Sequence, residues 1–231
     1  MTTLLVVGAS GGTGRQLVVQ ALARGWAVRA WSRTEGELPL RHAALEHVSG
    51  DVTDPAHARR FVAGLDAVVC ALGSVEGLRP TRVCAEGTRV LVAAMRDARV
   101  ARLVAVTSLG TTHKMGPVHA HLVEPYLLRG IYGDKREQER RIAASGLEWV
   151  IVRPGRLVDR PDHGAARVVL DGPLPGVHVS RAALASFALD QVRSDRFVGL
   201  APYLVEPARV PWHKVLTLGR DAHLPRAATM R

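Results

Sequence analysis

Aromatic residues are scarce in this chain, only 4% of 231 positions, so its interior has to be built from Val, Leu and Ala. Cysteine is scarcer still. Cys70 and Cys84 are the only two and stand in no CxxC spacing, which excludes a disulfide scaffold and a thiolate metal site and leaves two reduced, buried small hydrophobes. No run of about twenty apolar residues occurs, so a membrane-spanning helix is not expected. The start, Met1-Thr2-Thr3 followed at once by apolar residues, lacks the basic segment and cleavage site of a signal peptide, and the expected location is cytoplasmic. Lysine is nearly absent as well. Although the net charge is +10, its carriers are arginines spread along the chain, apart from Lys114, Lys135 and Lys214. A dispersed Arg-rich, Ala-rich bias without interleaved aromatics is a compositional trait, so no nucleic-acid partner is expected.

What the chain does contain is alternation. Thr3 to Val7 is a continuous apolar run of the kind buried on both faces of a parallel sheet. A helical pattern with Leu17, Val18, Ala21 and Leu22 on one face follows it and closes at Arg24-Gly25. Further strands are expected at Trp26–Trp31, Leu45–Val48, Ala67–Leu72, Leu103–Thr107 and Trp149–Val152. Helices are expected after Pro55, over about Thr81–Ala98, and over about Asp134–Ala144. Strands alternating with helices imply βαβ units and a parallel sheet. The fold class is therefore α/β: one doubly wound Rossmann domain over residues 1–200, with helices on both faces and a Pro-rich, irregular tail over 201–231. The His-containing segment from Ser108 to about Val123 is too long for an ordinary βα connection.

The turn between the first strand and helix reads Gly8-Ala9-Ser10-Gly11-Gly12-Thr13-Gly14. In that context a GxxGxxG pattern is a dinucleotide signature. Gly8 permits a tight turn, Gly11 lets backbone N–H groups approach a pyrophosphate, and Gly14 brings helix and strand together. Gly12 adds to the open turn, and Ser10 and Thr13 add hydroxyl donors. An NAD site places a carboxylate at the end of the second strand for the ribose 2′-hydroxyl, but this chain has Ser32-Arg33 there. A guanidinium in that place suits a 2′-phosphate, so the expected cofactor is NADP(H). Asp51-Val52, after the third strand, would flank the adenine, with a helix N-cap as the alternative role for Asp51.

The segments VVGASGGTG, SR after the second strand, GDV, DAVVCALGS, EGTRVLVAAM, LVAVTS, SGLEWVIVRPG and LDGPLPGVHVS follow one another from residue 4 to about 200. Together they resemble the NmrA-like, NAD(P)-binding group of atypical short-chain dehydrogenases/reductases, and within it the biliverdin-IXβ reductase/flavin reductase branch. The resemblance implies NADPH at the carboxyl ends of the strands. Besides Ser10, Gly11, Thr13, Arg33, Asp51 and Val52, it implies contacts from Ala71, Leu72 and Gly73, from Thr107 and Ser108, and from Pro154. Two departures stand out. Glu37 replaces a second basic residue near the 2′-phosphate, and Arg156 replaces a pocket histidine, so the family's substrate is not carried over.

Short-chain reductases acidify a Tyr with a Lys four residues on and add a helping Ser. Here Tyr132 has Lys135 at i+3 and Arg136 at i+4, and Ser108 ends the fifth strand. Ser108, Tyr132 and Lys135 are the catalytic candidates, although the flavin-reductase branch transfers hydride without such a Tyr. His113, His119 and His121 have no carboxylate or Cys among them apart from the later Glu124, so no metal is expected. No G-x-S-x-G elbow surrounds Ser108, which argues against an acyl nucleophile. The resulting reading is an NADPH-dependent reductase, monomeric or homodimeric, acting on a small planar substrate such as a flavin, quinone or polyketide-like aromatic ketone. Two others remain open: an NmrA-like redox sensor without turnover, and an isomerase or dehydratase with a structural nucleotide.

Overall fold

The computed structural model describes residues 1–36, 38–73, 82–111 and 129–207. Its core element is β1 (Thr3–Val7), which is flanked by β2 (Ala27–Ser32) and β4 (Ala67–Cys70) in parallel register. Adjacent residues of β1 face opposite sides, as the pleat requires. Leu4 and Val6 join the cluster under α1 (Gly12–Ala23) and α5 (Arg181–Asp190). Leu5 and Val7 join the cluster under α2 (Pro55–Val62), α3 (Val83–Asp97) and α4 (Arg129–Ala143). Burial on both faces explains the unbroken apolar run.

The main sheet also contains β3 (Leu45–Ser49), β5 (Arg102–Val106), β6 (Glu148–Pro154), β8 (Arg167–Val169) and β10 (Tyr203–Val205). Its order is β3-β2-β1-β4-β5-β6-β10-β8, and all neighbours are parallel except β8 against β10. The chain winds outward from β1 to β3, then returns to β4 and winds the other way. A doubly wound sheet opens a crevice at that reversal, outside the carboxyl ends of β1 and β4. A second pair, β7 (Arg156–Val158) with β9 (His178–Ser180), stands beyond the end of β6.

Two sequence expectations are corrected. Helix α4 begins at Arg129, about a turn before Asp134, so Tyr132 and Lys135 share one helix. The tail expected to be irregular from Ala201 supplies a sheet strand, since Tyr203 pairs with Arg153 and Leu204 with Pro154. Pro202 and Pro207 bracket that strand and disguise it, yet Leu204 and Val205 are buried. Residues beyond 207 lie outside the described ones.

Candidate functional site

Four glycines form the turn above β1, and the structure gives each a different reason. Gly8 has φ +80°, and a Cβ there would stand 2.8 Å from the carbonyl oxygen of Ala71. Its N–H and that of Ala9 both donate to the Trp31 carbonyl at 3.0 Å, tying the turn to β2. A Cβ on Gly14 would overlap the Gly8 carbonyl, so this glycine sets the approach of α1 to the strand. A Cβ on Gly12 would meet the Arg181 side chain, with Nε at 2.8 Å. Gly11 differs from all three. Its φ is −68°, and a Cβ there would meet only the Gly8 carbonyl oxygen, at an ordinary 3.4 Å. Nothing among the described residues needs a glycine at Gly11, and the space beside it is open. The first N–H groups of a helix have no intrahelical acceptor, and no side chain caps those of α1.

These residues border a cleft of about 830 Å³ at the crevice expected from the topology. Gly8, Ser10, Gly11, Gly12, Thr13 and Gly14 form one wall; Arg33, Asp51 and Val52 form the end over β2 and β3. Ala71, Leu72, Gly73 and Thr107 close the side over β4 and β5. Arg33 is exposed and makes no hydrogen bond or ion pair within the described residues. Asp51 is differently occupied: its Oδ1 accepts both the backbone N–H and the hydroxyl of Thr53, each at 2.8 Å. Those bonds, the N–H first, hold its carboxyl below the usual range, with smaller help from His57 and Arg33. The N-cap of α2 is Asp54, which accepts from the Ala56 N–H at 2.7 Å, so Asp51 is not the helix cap. Glu37 lies outside the described residues.

Lys135 reaches the same cleft from α4. Its ammonium donates to the carbonyls of Leu72 (2.6 Å) and Val106 (3.1 Å), at the carboxyl ends of β4 and β5. Two of its three protons are thus held by backbone. Asp134 sets the rotation of the helix by accepting the N–H groups of Cys84 (3.0 Å) and Ala85 (2.9 Å) at the start of α3. Tyr132 is buried, and its ring lies over Gly110, where no side chain would fit. The Ser108 hydroxyl accepts the Gly110 N–H at 3.3 Å in the same turn. The three catalytic candidates therefore come from touching elements, but of the three only Lys135 lines the cleft.

Pro154 is buried at the end of β6, paired with Leu204, and is not among the residues that line the cleft, whereas Leu157 of β7 is. Sequence reasoning also missed Arg15 and Arg181, both of which line the cleft. Arg15 folds back so that its Nε donates to the Ser10 carbonyl at 2.8 Å. The signal for Arg181 was a basic residue directly after Ser180, at a helix start where acid is the normal choice. His113, His119 and His121 lie outside the described residues. Within those described, no three His, Cys, Asp or Glu side chains are grouped to hold a metal. Nor is any helix long and apolar enough to cross a membrane.

Residues 8–195, from the Gly-rich turn through α5, match the protein family described as NAD(P)H-binding. The chain belongs to this NAD(P)H-binding family. An uncharacterised chloroplastic protein of Arabidopsis thaliana is 30% identical over 90% of this chain and 78% of its own length. Protein TIC 62 of the same plant is 29% identical over 79% of the chain, which spans only 32% of that longer protein. A 3-beta-hydroxysteroid dehydrogenase of Mycolicibacterium neoaurum is 30% identical over 75% of the chain and 52% of its own length. Among solved structures, an NADP complex of a short-chain dehydrogenase/reductase from Veillonella parvula superimposes with a TM-score of 0.77. It is 17% identical and covers 90% of this chain and 95% of that one. The anaerobilin reductase of Escherichia coli O157:H7 superimposes with a TM-score of 0.75 at 22% identity, over 91% of this chain and 100% of that one. Both likenesses are of fold.

The cleft of this NAD(P)H-binding protein fits its cofactor class. Unfilled space beside Gly11, N–H groups at α1 that no side chain caps and an exposed cation at the end of β2 are features that suit an anionic dinucleotide.

Proposed function

We propose that this NAD(P)H-binding protein is an NADPH-dependent reductase whose acceptor is a planar conjugated molecule: a flavin, a quinone or a polyketide-like aromatic ketone. The observation that carries the cofactor choice is Arg33, an exposed guanidinium at the end of β2 that makes no hydrogen bond or ion pair within the described residues. Asp51, across the same end of the cleft, is hydrogen-bonded by Thr53 and feels Arg33 only through a minor electrostatic effect. Reduction as the reaction class draws support from the steroid dehydrogenase relative and from the motif likeness to the flavin reductase branch.

Bound NADPH would supply the hydride, and the protein's own part is orientation and exclusion of water. Gly11 and the first turn of α1 would hold the phosphates, with Arg33 on the 2′-phosphate. Lys135, anchored on the carbonyls of Leu72 and Val106, keeps one proton for a ligand group at the ends of β4 and β5. Tyr132 and Ser108 share the turn at Gly110, which gives a proton source for a carbonyl acceptor if that turn shifts toward the cleft. A flavin or quinone needs no such acid. The test is a variant pair on two acceptor types. Tyr132→Phe should leave NADPH oxidation by FMN unchanged and slow that by an aromatic ketone about 10²-fold or more. An equal loss on both would remove the phenol from proton transfer.

The sensor reading gains one point of support: the buried Tyr132 is not among the residues that border the cleft. Tight NADPH binding without turnover on any acceptor would decide for it.

A further inference from the structure

Arg181 is the first residue of α5 and carries the wrong charge for that place. The amino end of a helix has positive partial charge, and no acid occupies the first turn of α5. Its ion-pair partner is Asp159, 2.8 Å away, with that carboxylate 84% exposed. A pair with so exposed a partner contributes little to stability. The surrounding structure nevertheless fixes Arg181 firmly. Ser180 caps the helix through the Ala183 N–H at 3.1 Å, and buried Glu206 accepts the Ser180 N–H at 2.8 Å while pairing with Arg160. These contacts seat the guanidinium of Arg181 over Gly12 at the uncapped amino end of α1, and a side chain at Gly12 would collide with it. Gly12 has no positive φ, so clearance for Arg181 is the one visible reason for that glycine.

We propose that Arg181 is a diphosphate-binding residue, closing on the dinucleotide from α5 opposite the N–H groups of α1, with Asp159 as the carboxylate it leaves. The proposal rests on the dinucleotide reading of the cleft. It divides the cationic contacts by phosphate: Arg181 holds the group common to NADH and NADPH, and Arg33 holds the 2′-phosphate found only in NADPH.

The test is a binding matrix measured by calorimetry. Wild type, Arg181→Gln, Arg181→Lys and Asp159→Asn are titrated with NADPH, NADH and adenosine 2′-monophosphate, which carries no diphosphate. Loss of a hydrogen bond to a charged group predicts that Arg181→Gln weakens both dinucleotides about 10- to 100-fold, with the 2′-monophosphate unchanged. Arg181→Lys should recover part of that loss. Asp159→Asn should tighten both dinucleotides about two- to fivefold, the range of an exposed ion pair removed as competitor. A wild type that binds neither dinucleotide overturns the reading of the cleft itself. Wild-type binding that Arg181→Gln leaves unchanged, or that weakens equally for the 2′-monophosphate, overturns the Arg181 assignment alone. Should Arg181→Gln fail to fold, Asp159→Asn decides: unchanged or weaker dinucleotide binding refutes the proposal.

Discussion

Replacing Arg33 with Ala should abolish the preference for NADPH without disturbing the fold. The side chain is exposed and makes no hydrogen bond or ion pair within the described residues, so its removal breaks no internal contact. In the complex a guanidinium faces a phosphate, and a hydrogen bond to a charged group contributes about 1.5–3 kcal/mol. At about 1.4 kcal/mol per decade, NADPH should bind about 10- to 150-fold more weakly, while NADH shifts less than about twofold. The pair is solvent-exposed, with a Debye length of about 8 Å at physiological salt, so the wild-type preference should also narrow toward 1 M salt. Calorimetric titration of both nucleotides into both proteins, at two salt concentrations, reads each number. Equal affinities in the wild type, or an equal loss for both nucleotides in the variant, would refute the reasoning.

Gly11→Val should eliminate nucleotide binding by filling phosphate space and cost at most about 1 kcal/mol of stability through a poorer N-cap. Gly14→Ala should instead destabilise the fold by about 1–3 kcal/mol, because its Cβ overlaps the Gly8 carbonyl; the two are separated by thermal melting beside a binding assay. Glu139→Ala should lower the Tm by about 6–12 °C, on the order of 3 kcal/mol. That carboxylate accepts from Thr107 at 2.6 Å, Thr111 at 3.0 Å and Arg153 at 2.7 Å; its loss leaves the half-buried Arg153 without its carboxylate and the two hydroxyls with only the Val152 and Ser108 carbonyls. A change under about 2 °C would show that water replaces it. Cys70 and Cys84 should resist a disulfide reagent at pH 8 until the protein unfolds. Both are buried and burial raises both thiols, Cys84 to about 12, so the thiolate is disfavoured at both at pH 8. Rapid labelling of the native protein would contradict this.

The central sheet was legible in the sequence because its strands are buried on both faces. Thr3–Val7 and Ala67–Cys70 read as unbroken apolar runs and pair in the register that such burial implies. The Gly-rich turn was legible for the same local reason, since Gly8 and Gly14 are demanded by contacts within a few residues or one strand away. The short strands after residue 155 were not. Each of β7, β8, β9 and β10 has three residues, too few for a period, and β10 is bracketed by proline. For Pro154 the resemblance located the end of β6 but not which side chains line the cleft there. Arg181 was missed for a different reason, since a basic residue at a helix start says nothing of a distant partner. Its meaning comes from Gly12, far away in sequence, and no spacing rule connects α1 with α5.

Consumption of NADPH by the purified full chain, followed as loss of nicotinamide absorbance with FMN, a simple quinone and an aromatic ketone in turn, tests the central claim most directly. The account predicts turnover with at least one of these planar acceptors, faster with NADPH than with NADH at equal subsaturating concentration. Saturable NADPH binding with no oxidation on any acceptor across a broad panel would contradict it and assign the protein to nucleotide sensing.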